Sequence, residues 1–269
     1  MRIDPELVAA RIAEIAEIEI MARFGALAPD EVREKSGPSD LVTDADEAAE
    51  RALRDALHEI DPAARFVGEE LAAREPAAMD DISAAERVWI VDPLDGTRNF
   101  IRGFREFGVI VALVEKGATR MGWIYAAPDR QCAIAVSGEG ATFAGAPVKT
   151  AGPPGAPHKL RCLRSLGWLP QPRQDEMRRT LTERFESAPG HCSAYAYLKL
   201  ARGEIDFKVS SRIHPWDHAA GALLLSELGG ETSFLDDRVP YAPQASIDAP
   251  LLAAAPGRDW GAIAERLRG

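Results

Sequence analysis

The sequence predicts an α/β protein in two parts: an α+β first half, with an antiparallel sheet and two long helices, and an alternating α/β second half. Three observations carry this. Apolar residues recur at helical spacing in two N-terminal segments. Short apolar runs joined by tight turns fill residues 65 to 136. Beyond residue 159, apolar runs alternate with helical patterns.

Asp4-Pro5 is a helix start, with a capping side chain and a proline at the first helical position. Leu7, Val8, Ile12, Ile15, Ile18 and Met21 then follow at helical spacing, so a helix is expected from about 4 to 24, closed by Gly25. "KSGPSDLVTDAD" reads as a loop or turn. A second helix is expected from Asp44 to Ile60, closed by Pro62. "ARFVGEE" is a short strand ending in Gly68-Glu69-Glu70, and "RVWIVD" is another. "FGVIVALV", "TRMGWIYA" and "QCAIAV" continue the sheet. Turns as short as Glu115-Lys116-Gly117 and Pro128-Asp129-Arg130 make these neighbours antiparallel. The Gly- and Pro-rich "TAGPPGAPHK" breaks the pattern and divides the chain into 1–150 and 151–269. After it come a strand ("KLRCLRS"), helices over Glu176–Phe185 and Ser193–Ala201, and a strand ("IDFKV"). A helix over His218–Leu228, a strand ("LLAAA") and a last helix over Trp260–Leu267 complete the chain.

Composition narrows the function. The 269 residues hold 32 Lys plus Arg against 42 Asp plus Glu, a formal charge of −10. An acidic chain repels phosphate backbones, which argues against nucleic acid. The same charge disfavours an anionic small substrate unless a bound cation reverses the local field. Cys132, Cys162 and Cys192 are odd in number and lack C-x-x-C spacing. That argues against a disulfide framework or thiolate zinc site and for a reducing cytoplasm. The charged N-terminal segment has neither a signal-peptide block nor a transmembrane run, so no membrane partner is expected.

There is no P-loop, no G-x-S-x-G elbow and no G-x-G-x-x-G after a strand. What remains is a set of carboxylates at the edges of apolar elements: Asp46, Glu69, Asp92, Asp95 and Asp217. Each has a simple structural reading. Asp46 completes a capping box with Thr43. Asp95 caps a helix starting near Thr97. Asp217 is the N-cap of the "HAAGALLLSELGG" helix, and Glu69 a solvated strand end. Taken together they point elsewhere. Converging carboxylates repel each other in a partly buried site, and a divalent cation removes that cost. An all-oxygen ligand set selects a hard cation, above all Mg²⁺, which also takes water and substrate phosphate. His214 and His218, four apart, keep a zinc site open as a rival, although Pro215 interrupts any helix carrying both.

"DPLDGTRNF", preceded by "KSGPSDLVTDAD" and "GEE" and followed by "WDHAAGALLLSELGG", resembles the inositol monophosphatase family of metal-dependent phosphatases. The four blocks run in order from Lys35 to Gly230. The resemblance implies a layered α-β-α-β-α sandwich of the inositol monophosphatase and fructose bisphosphatase type. It implies hydrolysis of a small-metabolite phosphate monoester by a metal-activated water, with two or three Mg²⁺ ions. It assigns Glu69, Asp92 and the Leu94 carbonyl to a first ion, and Asp92, Asp95 and Asp217 to a second. Asp46 with Glu69 would serve a third ion or the nucleophilic water, which Thr97 helps to orient. Gly96 and Thr97 would receive the phosphate. A homodimer and lithium sensitivity are implied in the same way. The departures fall on substrate-reading positions, where Ser210 stands in place of a glutamate and His191, Cys192 and Ser193 in place of a G-[ST]-A stretch. They set inositol against histidinol phosphate, fructose bisphosphate and 3′-phosphonucleotides as substrates of the same family. A non-catalytic metal- or phosphate-binding homologue is the rival outside enzyme function. Lys35, Arg102 and Arg105 are further cations that could meet an anion.

Overall fold

The computed structural model describes residues 3–26, 32–37, 40–152, 159–190 and 192–268. Helix α1 (Pro5–Ile15) starts where Asp4 accepts the Glu6 N–H at 3.0 Å. It runs on through a π turn (Ala16–Ile20) and a 3-10 turn (Met21–Arg23), so the helical path ends where Gly25 predicts. Helix α2 (Asp44–Ile60) has the expected bounds and the expected capping box. The Thr43 N–H donates to Asp46 Oδ2 at 2.8 Å, and the Ala45 N–H donates to Thr43 Oγ1 at 3.2 Å. "KSGPSDLVTDAD" departs from expectation: β1 (Val32–Gly37) and β2 (Asp40–Thr43) form an antiparallel hairpin. Its strands are short and largely polar, so no alternating pattern marks them.

Among the described residues, a seven-stranded sheet runs in the order β3 (Arg65–Gly68), β4 (Arg87–Asp95), β5 (Gly108–Glu115), β6 (Ala118–Ala126), β7 (Gln131–Val136), β8 (Gly140–Phe143), β9 (Ala146–Pro147). Its pairs are antiparallel except β3–β4, which is parallel. The connection between those two strands carries α3 (Glu69–Arg74) and α4 (Asp81–Ala84), long enough for the crossover a parallel pair needs. Glu69 therefore opens a helix and does not close a strand.

The second sheet, of five strands, is mixed. Its order is β11 (Glu186–Ser187), β10 (Arg161–Ser165), β12 (Phe207–Ile213), β14 (Ile247–Ala254), β13 (Glu231–Phe234). The short strands β8, β9, β11 and β13 lack the length and alternation that would announce them.

Side-chain alternation along β4 and β5 explains the layering. Trp89, Val91, Val111 and Leu113 pack against α1 and α2. Val88, Ile90, Ala112 and Val114 pack on the other face against α7 (Ser193–Ala201) and α8 (Pro215–Glu227). Because both faces are covered, the strands read as unbroken apolar runs. Helices α7 and α8 also bury Leu163 and Ala253 of the second sheet. The far face of that sheet, with Phe207, Val209 and Leu252, is closed by α6 (Gln171–Arg184) and α9 (Trp260–Arg268). The order is α-β-α-β-α, as expected. Gly221 lets α8 lie against α7, since a Cβ there would fall 2.2 Å from the Tyr197 ring. No helix among the described residues is long and apolar enough to cross a membrane.

Candidate active site

Strand β4 ends on Asp92-Pro93-Leu94-Asp95, all buried. Pro93 has no N–H to give the ladder, and the pairing with β5 shifts register between Asp92 and Asp95. The Leu94 N–H instead donates to Asp92 Oδ1 at 3.1 Å. Gly96 follows with φ +92°, where a Cβ would meet both the Cys192 Cβ and the Glu106 carbonyl at 3.0 Å. Helix α5 (Thr97–Ile101) then begins. It is five residues long, so its dipole is slight, and what it offers an anion is the first-turn N–H donors themselves.

Asp217 is the third residue of α8, whose N-cap is His214, so the capping role expected of Asp217 is not the one it plays. The reason is Pro215, which starts the helix before the apolar run does. One oxygen from each of Asp92, Asp95 and Asp217 lies within 4.8 Å of the others. Asp95 does cap a helix, but α7 and not α5. Its oxygens accept the Ser193 N–H at 3.1 Å and the Ala194 N–H at 2.6 Å. Burial and the neighbouring Asp217 charge push its carboxyl above the usual range.

A cavity of about 610 Å³ opens over this cluster. Glu69, Leu94, Gly96, Thr97 and Ser193 line it together with the three aspartates. Asp46 is buried and does not line it, but meets it through Thr97, whose hydroxyl lies 2.9 Å from Asp46 Oδ1 and 3.0 Å from the Leu94 carbonyl. The other Asp46 oxygen holds Thr43. One side chain thus caps α2 and also holds the Thr97 hydroxyl at the cavity. Burial pushes Asp46 up to about 6, against the Thr43 hydrogen bond and with help from Glu69.

Two contributors escaped the sequence. Glu50 on α2 accepts the Glu70 and Leu71 N–H groups at 2.8 and 3.1 Å and so orients the start of α3, where Glu69 stands. Its one signal was a charge four residues beyond Asp46, on the buried side of α2. Lys208 on β12 lines the cavity, whereas Ser210, two residues on, is buried and does not. His191 lies outside the described residues, as does the Lys35 side chain. Arg102 lines the cavity; Arg105 turns away to the Pro128 carbonyl at 2.5 Å. His214 lines the cavity, stacks on Trp216 and meets Ser246 Oγ at 2.6 Å. His218 is buried against the Tyr197 hydroxyl at 2.7 Å, so the two histidines face different partners and do not form a shared zinc site.

The model of the Inositol monophosphatase family matches residues 5–267. The chain belongs to that family. It is a metal-dependent phosphoric monoester hydrolase acting on a phosphorylated small molecule. Among family relatives, it is 31% identical over 208 residues to an inositol-1-monophosphatase of Bacillus subtilis, covering 74% of each chain. It is 30% identical over 247 residues to a histidinol-phosphatase of Mycobacterium tuberculosis, covering 87% of this chain and 88% of that one. The fold matches a Thermotoga maritima IMPase at a TM-score of 0.80, with 22% identity and coverage of 98% and 96%. It matches an IMPase/NADP phosphatase complexed with Mg²⁺ and phosphate at 0.81, with 20% identity and coverage of 97% and 93%.

The donor set fits the metal that this family uses. Three clustered carboxylates, with Glu69 on the same cavity and no thiolate or imidazole among the clustered ligands, are hard oxygen donors. Burial first, and the Asp217 charge second, raise the Asp95 carboxyl, and a cation between the two carboxylates would offset both.

Proposed function

We propose that the chain uses two Mg²⁺ ions, with a third bound more weakly, to hydrolyse a small phosphate monoester over Asp92, Asp95 and Asp217. The observation that carries this reading is the convergence of those three carboxylates beside Gly96 and Thr97. Glu69, Asp92 and the Leu94 carbonyl would hold one ion, and Asp92, Asp95 and Asp217 the other. When bound, the ions supply Lewis acidity toward the phosphoryl oxygens and lower the pKa of water. Gly96 and Thr97 offer N–H groups to the phosphate. Thr97 Oγ1 orients the attacking water, and Asp46, hydrogen-bonded to that hydroxyl, accepts the proton passed through it.

Treating 1–150 and 151–269 as two units belongs to the same reading, supported by each large sheet drawing its strands from one side of residue 150. A cytoplasmic homodimer is part of it by family likeness.

The test is phosphate release with Mg²⁺ from inositol phosphates, histidinol phosphate, fructose bisphosphate and a 3′-phosphonucleotide. Asp92→Asn is expected to lower it by more than ~100-fold while circular dichroism stays native. Near-full activity of that variant would sink the assignment. Metal and phosphate binding without release from any ester would favour the non-catalytic rival.

A further inference from the structure

Lys208 reaches the cavity from the five-stranded sheet and is 7% exposed. Its Nζ donates to Ser193 Oγ at 3.0 Å and lies 5.2 Å from the centre of the Tyr197 ring. An ammonium has three donors, so two remain beyond the Ser193 bond, and among the described residues no ion pair engages them. Burying a cation with so few partners is costly, and an anion entering the cavity would relieve it. Asp95 and Asp217 are close enough to act on its charge, but both belong to the cluster that the cations neutralise.

Placement decides which part of the substrate Lys208 meets. The phosphate seat is at the end of β4, in the seven-stranded sheet. Lys208 stands on β12 of the other sheet, in register with Leu163 of β10, which shares the cavity wall. A leaving group that extends from that seat toward the second sheet would meet this wall. A neutral polyol there would accept a hydrogen bond and leave the charge unbalanced; an acidic group would accept the bond and balance the charge.

We propose that Lys208 selects phosphate esters that carry a second acidic group, a carboxylate or a second phosphate, on the leaving-group side. This rests on the phosphatase reading above. The experiment compares matched substrates with Mg²⁺: 3-phosphoglycerate against glycerol 3-phosphate, and propane-1,3-diol bisphosphate against propyl phosphate. The first pair isolates a carboxylate, the second a phosphate. In the unaltered enzyme, kcat/KM should favour the acidic member of at least one pair by about 10- to 100-fold, the worth of one charged hydrogen bond. Lys208→Met should bring that ratio close to unity, chiefly through KM, and Lys208→Arg should restore part of it. Equal rates within both pairs in the unaltered enzyme would overturn the proposal whatever the variants do. So would a Lys208→Met variant that slows both members by the same factor, the mark of a purely structural lysine. Release from none of the four esters, nor from the wider panel, would overturn the phosphatase reading along with it.

Discussion

Removing divalent ions and moving from pH 5 to pH 8 brings the buried carboxylates into conflict. Burial pushes Asp46 from its ordinary 3.8 up to about 6. A group held above its unfolded value contributes stability that is fully present below 3.8 and lost as pH rises through about 6. At pH 5 the folded form keeps most of that proton and at pH 8 almost none, so on the order of 1 kcal/mol is lost across the window. Asp95, raised by burial and by Asp217, adds to the loss in the same direction. Mg²⁺ binds the ionised cluster, so at pH 5 it must displace protons that are gone at pH 8. Asp95 is the raised group within that cluster, held up at about 6 by burial and by Asp217, so the stabilising increment should be larger at pH 8 by on the order of 1 kcal/mol, or roughly 2 to 4 °C in Tm for a protein of this size.

His218 complicates absolute stability. Burial holds its imidazole well below the ordinary value, so its contribution is present above 6.5 and lost as pH falls. Its hydrogen bond is to Tyr197 and it is no member of the carboxylate cluster, so to first order it cancels from the metal-dependent increment. The assay is thermal melting of chelator-treated protein, with and without saturating Mg²⁺, at both pH values. An increment equal at the two pH values, or larger at pH 5, would refute the reasoning.

Other predictions follow from single contacts. Thr97→Ala, which removes the hydroxyl between Asp46 and Leu94, should lower kcat by ~100-fold or more, while Thr97→Ser keeps most of it. Steady-state kinetics on the best ester decides, and equal effects of the two changes would argue against a role for the hydroxyl. Gly221→Ala would place a Cβ 2.2 Å from the Tyr197 ring, inside the α7–α8 contact. It should cost about 3 kcal/mol or more of stability in urea unfolding, and a loss under about 1 kcal/mol would mean that the helices can part.

Much of the fold was legible because its signals are local. Helix α2 matched its expected ends since Thr43, Asp46 and Pro62 mark them within one or two turns. Strands β4 to β7 were legible as strands because they are long and apolar, but those qualities say nothing of direction. The parallel β3–β4 pair therefore surfaced only once the crossover was seen. The β1–β2 hairpin was hidden by its short polar strands.

The sequence by itself determined the chemistry: a proline between two aspartates at a strand end, a glycine and threonine after them, and an oxygen-only ligand set for a hard cation. Each is a matter of residue type and near-neighbour geometry. The tertiary structure decided which groups share the cavity. It joined Asp217 to Asp92 and Asp95, gave Asp95 the α7 N–H groups 98 and 99 residues away, and recruited Glu50 to hold the start of α3. It also put Lys208, and not Ser210, on the cavity wall. Alternation along β12 assigns Lys208 and Ser210 to the same side of the strand, and only the packing of one sheet against the other settles how far along that side the cavity reaches.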